Sequence, residues 1–209
     1  MKASATALLL LILLPLSFIN AQAQCVTHAT ECLMPVDCFP WQWNGFVSYG
    51  AGRNMGQLNL YNPSSCTAFP PVGDTSDVDF NTDANAFWET TGYDVGSAHL
   101  IVHEMTVADD GTNKTVNLEM LLMDISGGTF PSGWKIRESP TLASTGQAST
   151  EPSQVGNGRA VNVEFDLSTE LTTNGGQTWV PASVPLHLMF YQSTPAQDLT
   201  WGRLKATYR

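Results

Sequence analysis

Glu104 and Glu119 are the residues of this chain best suited to acid–base chemistry. They lie in the segments 97–107 and 114–125, which flank the turn-forming string ADDGTN and read as a β-hairpin. Folded symmetrically about Gly111 and Thr112, that hairpin sets Glu104 opposite Glu119 and His99 opposite Asp124. Directly opposed residues have Cβ atoms about 4.5–5.5 Å apart. Two carboxyl groups at that range suit a retaining glycosidase, one as nucleophile and one as acid. The alternative is that both glutamates point to solvent near a sheet edge. His99 and His103 are four residues apart, about 13 Å along a strand, and cannot share one metal ion. The chain has no G-x-S-x-G elbow for a serine nucleophile and no glycine-rich phosphate loop.

A second set of oxygen donors recurs at every other position in DTSDVDFNTDANAFWE (74–89): Asp77, Asp79, Asn81, Asp83 and Asn85. Hard carboxylate and amide oxygens at a spacing of two suit a calcium loop. Thr82 stands where an EF-hand loop needs Gly, and Glu89 falls one residue after the position of the bidentate Glu. A polar-faced edge strand or solvated loop is the alternative reading. A calcium ion held there would stabilise the segment rather than catalyse.

The string FPWQWNG (39–45) places Trp41 and Trp43 on one strand face, either as a platform for sugar rings or as a core plug beneath nearby disulfides. LTTNGGQTW (171–179) reads as a structural turn. The Asn174 side chain can bond its own backbone two residues on, Gly175 and Gly176 take positive φ without penalty, and Trp179 caps the hairpin. Arg137 and Glu138, in KIRESP (135–140), alternate across a strand. Arg137 is expected to pair with a carboxylate such as Glu164 or Asp166, the alternative being an anionic ligand.

The elements that must hold these residues are strands. No long stretch repeats apolar residues at helical spacing, and Gly, Pro, Ser, Thr and Asn are scattered throughout. Strands are expected at 43–50, 55–61, 97–107, 114–125, 133–138, 159–167, 184–192 and 199–208, with 140–158 as a polar loop. Short strands separated by turn signals predict an all-β antiparallel sandwich, jelly-roll or immunoglobulin-like, in a single domain.

Residues 1–23 read as a signal peptide: Lys2, an apolar core, and a small-x-small site at Ala21 and Ala23. Cys25 lacks the small and aliphatic neighbours of a lipidation site. The mature chain 24–209 is then secreted or extracytoplasmic, with no transmembrane segment. Cys25, Cys32, Cys38 and Cys66 predict two disulfides of unspecified pairing within 24–70. Their spacing lacks the close Cys-x2-Cys knuckle of a zinc site. The chain has 9 basic and 19 acidic residues, net −10; loss of Lys2 makes the mature balance 8 − 19 = −11. That excludes nucleic acid and anionic membrane surfaces as partners.

TTNGGQTW (172–179) resembles the Asp box of sialidase-type propellers, a structural β-hairpin motif. Over about residues 115–192, IRESPT, STG, FD, TEL and GGQTW followed by Pro resemble, in order and spacing, a domain recurring in exported bacterial proteins. The resemblance implies no established activity and brings no catalytic residues. The leading expectation is a non-enzymatic extracellular domain that binds polysaccharide or a surface partner. A sandwich-type carbohydrate-active enzyme using Glu104 and Glu119 is one alternative, and a calcium-stabilised structural protein is another.

Overall fold

The computed structural model describes residues 26–27, 32, 41–152 and 159–190. The signal segment, Cys25, Cys38 and the strand expected at 199–208 lie outside them. The described residues form twelve strands: β1 (Val26–Thr27), β2 (Trp41–Ser48), β3 (Asn54–Tyr61), β4 (Thr75–Trp88), β5 (Gly92–Asp109), β6 (Lys114–Ser126), β7 (Lys135–Glu138), β8 (Ser144–Pro152), β9 (Arg159–Leu167), β10 (Thr169–Thr172), β11 (Val180–Pro181) and β12 (Leu186–Phe190). The described residues contain no helix.

The all-β expectation holds, but the sandwich does not. Antiparallel pairing runs β2–β3–β4–β5–β6–β8–β9–β12 and returns to β2, so eight strands close into a barrel. Two strands complete the closure, one of them read from sequence only as an alternative to a calcium loop and the other read as loop. β4 is the acidic ladder, and β8 lies inside the expected polar loop. Closure pairs strands that would be edges in a sandwich, which removes their unsatisfied backbone groups. Beyond the barrel, the far end of β6 pairs with β7, and β7, β10 and β11 continue as an open side sheet.

Side chains fill the interior, as the width of an eight-stranded barrel allows. Inward positions of β4 are Val78, Phe80, Thr82, Ala84, Ala86 and Trp88, alternating with the outward Asp and Asn residues. On β8 the inward residues are all small: Ser144, Gly146, Ala148 and Thr150. They leave room for Phe165 of β9, whose ring packs on Trp41 at 5.5 Å. One barrel end is filled by Trp88, flanked by Tyr49, Phe130 and Trp134. Tyr49 donates to or accepts from Thr169 at 2.8 Å, and burial pushes its phenol well above the ordinary value. The other end is covered by the segment after Cys66: Phe69 and Pro70 are buried, and the Thr106 hydroxyl donates to the Pro70 carbonyl at 2.6 Å.

A disulfide joins Cys32 to Cys66. It fixes the covering segment to chain 34 residues upstream. The paired substitution Cys32→Ser and Cys66→Ser is expected to lower stability by about 3–4 kcal/mol, because the open chain regains loop entropy. Urea denaturation of the variant checks this; an unchanged midpoint would mean the cover is held without the bond.

Candidate functional site

The hairpin of β5 and β6 does not fold symmetrically. His99 does face Asp124, but bulges after Ile101 and Thr106 slide the register. Glu104 pairs with Leu118, and Glu119 pairs with His103. The parity of the strands then separates the two carboxyl groups: Glu104 points inward and is fully buried, while Glu119 is exposed on the outer face. They form no catalytic pair. Nor does Glu104 point to solvent. Its Oε2 lies 3.4 Å from the Ser76 hydroxyl and its Oε1 has no hydrogen-bond partner. Burial raises its carboxyl from the ordinary 4.5 to about 7, with a smaller lowering by Ser76.

The acidic ladder is an outer strand stripe and not a loop. Alternate carboxylates on a strand stand about 6.6 Å apart, whereas calcium gathers oxygens at about 2.3–2.6 Å. No three His, Cys, Asp or Glu side chains converge on a metal position among the described residues. Asp77 instead bonds His103 at 2.6 Å, Asp79 bonds His99 at 2.7 Å, and Asp83 accepts from Asn62 at 2.8 Å. Asn81 takes part through its backbone N–H, which donates to Ser64.

Trp41 and Trp43 are buried, so they serve the core and offer no sugar platform. At the turn, the Asn174 Oδ1 accepts from the Thr172 hydroxyl and from the Thr178 N–H, and Gly175 and Gly176 have φ of 74° and 98°. Trp179 lies under the guanidinium of Arg137, 3.9 Å from its ring centre. Arg137 does pair with a carboxylate, though the partner is Glu170 at 2.7 Å and not Glu164 or Asp166. Register decides this: β10 lies beside β7, whereas β9 lies between β8 and β12.

Where β6 leaves β8 and takes up β7, a groove of about 600 Å³ opens. Glu119, Asp124, Arg137 and Glu138 line it together with Leu121 and Leu142. Glu138 sits above the usual carboxylate range, chiefly through burial; its bond from Ser144 opposes this, and Glu170 and Glu119 add to it.

The outer face of β2–β5 carries the arrangement that sequence reasoning missed. Phe87 pairs with Tyr93 across β4 and β5. Gln57 pairs with Phe87 across β3 and β4. A bulge between Asn44 and Val47 places both Gly45 and Phe46 across from Gly56, between the Asn44–Gln57 and Val47–Met55 pairs. The result is one row, Phe46–Gly56/Gln57–Phe87–Tyr93, crossing four strands. Phe46 is 58% exposed and Tyr93 59%. The Tyr93 ring rests on Phe87 with centroids 4.9 Å apart, and its hydroxyl donates to Gln57 Oε1 at 2.9 Å. Gly56 has no side chain to raise the floor of the row; a Cβ there would stand 3.3 Å from the Phe87 ring. Asn44, the β2 partner of Gln57, and Asn59 extend the row with amides. Glu89, beyond it, is held by Asn54 at 3.0 Å.

No family model, curated protein or solved structure matches this chain. Among the described residues no helix is long and apolar enough to cross a membrane.

Proposed function

We propose that this chain is an exported, non-enzymatic binding barrel that holds polysaccharide on the outer row Phe46–Gln57–Phe87–Tyr93. The observation that carries this reading is the Tyr93 ring. It is more than half exposed, yet it is fixed on Phe87 by the bond to Gln57. An exposed ring that is already held loses little freedom when it stacks on a ligand. Sugars present apolar C–H faces to such rings and hydroxyl edges to amides, and this row supplies both without a charged side chain. Export rests on the leader 1–23 and agrees with the Cys32–Cys66 disulfide. The enzymatic alternative has lost its glutamate pair to opposite faces of the barrel.

The test is retention on insoluble polysaccharides and affinity electrophoresis through soluble ones. Phe46→Ala and Tyr93→Ala should each weaken retention about tenfold, the equivalent of one stacked ring. Both side chains are exposed, so melting temperatures should stay within a few degrees. A chain retained on no polysaccharide, or variants retained like the wild type, would refute the proposal.

A further inference from the structure

We infer that the ligand is a neutral, extended glycan that lies across the strands β2 to β5 and fills about three sugar positions, the span of three inter-strand steps. This rests on the polysaccharide reading above and specifies its ligand. The direction comes from register. Gln57, Phe87 and Tyr93 are direct partners on successive strands, and the β2 bulge that carries Phe46 lies across from the adjoining Gly56, so the row runs across the strands. From β2 to β5 the row covers three spacings of about 4.8 Å each, about 14 Å in all. The advance per ring of an extended pyranose chain is close to that spacing, so successive rings meet successive strands. Coiled or branched glycans do not keep that match.

The shape of the row agrees. The outside of a barrel is convex, which splays side chains on neighbouring strands. Gly56 lowers the middle, so a chain can lie between Phe46 and the Phe87–Tyr93 pair instead of riding over a ridge. The charge requirement follows from the lining. The row and its flanking amides contain no Lys or Arg, and Glu89 stands at its edge. Arg53, on the hairpin joining β2 to β3, is drawn away over the Trp134 ring at 5.8 Å. With a whole-chain charge of −10, an anionic glycan meets repulsion and no counter-charge.

Calorimetric titration of the full mature chain with cello-, manno- and chito-oligosaccharides of increasing length tests this, with oligogalacturonides as the anionic counterpart. For at least one neutral series, affinity should rise about tenfold with each added ring up to the third and then level off. Oligogalacturonides of equal length should bind at least about tenfold more weakly. Phe46→Ala and Tyr93→Ala should each shorten the length at which affinity levels off, because they remove opposite ends of the row. Affinity that does not grow with length, or a preference for the anionic series, would overturn this inference while leaving polysaccharide binding in place. No binding to any oligosaccharide or polymer would remove both.

Discussion

Glu104→Gln should stabilise the barrel at pH 8 by as much as about 3 kcal/mol and leave its stability at pH 4 nearly unchanged. The carboxyl is fully buried among apolar neighbours, with Leu118 on one side and only the Ser76 hydroxyl on the other. No charged group offsets its ionisation, so the neutral form is favoured. In the unfolded chain it titrates near 4.5, and in the barrel at about 7. Between those values the folded chain keeps a proton that the unfolded chain has lost. Stability from this group is therefore full below about 4.5, falls as pH rises through the window, and reaches its minimum above about 7. Gln is a neutral isostere and removes that dependence. The measurement is urea denaturation of both proteins across pH 4–9. Parallel stability profiles for wild type and Glu104→Gln would mean that this carboxyl reaches water and that the cover formed by Phe69 and Pro70 does not seal the barrel end.

Gly146→Ala should destabilise the fold by about 3 kcal/mol or prevent closure. Gly146 sits at the seam, between Leu118 of β6 and Phe165 of β9. A Cβ there would lie 2.8 Å from the Phe165 ring and nearer still to the Glu164 carbonyl oxygen. Neither can yield cheaply: the carbonyl is backbone, and the ring is pinned against Trp41. In an open sandwich this segment would be a surface loop and the extra methyl would be tolerated, so the substitution tests closure directly. Gln147→Ala, one residue on and facing out, is the control and should shift stability by no more than about 0.5 kcal/mol. Equal denaturation midpoints for Gly146→Ala and wild type would contradict the seam.

The inside-polar, outside-apolar pattern of a membrane barrel is reversed here. Inward positions hold Leu, Val, Phe and Trp, and the outer face carries Asp77, Asp79, His99 and His103. The His–Asp pairs are exposed and engage Asp77 and Asp79 of the ladder. Surface pairs of this kind contribute little stability, about 0–1 kcal/mol each. Their visible effect is to hold the Asp77 and Asp79 carboxylates against imidazole rings of the neighbouring strand.

Strand content was legible in the chain itself. Alternation marked β2, β3, β5, β6, β7 and β9, because inward apolar residues recur at a period of two. The same alternation is present in β4, where outward Asp and Asn residues have the spacing of calcium ligands and Val78, Phe80 and Trp88 carry the strand. β8 had no such signal. Its inward residues are small because a large ring opposite them, Phe165, occupies the space, and smallness reads as loop. Without β4 and β8 as strands there is no ring to close, and a sandwich is the natural expectation.

Residue identity thus determined an acidic, glycine-punctuated chain of paired strands, with an apolar face and a polar face along each. Tertiary structure alone decided which positions meet. Glu104 faces inward by the unbroken alternation of β5, while bulges slid its partner strand and turned Glu119 to the outer face, and another in β2 left Phe46 exposed beside Gly56. The aromatic row gathers residues from positions 46 to 93. Side-chain parity on a strand changes with every inserted residue, so a single bulge redirects all that follows. Local sequence cannot count those insertions, since they are set by the partner strand.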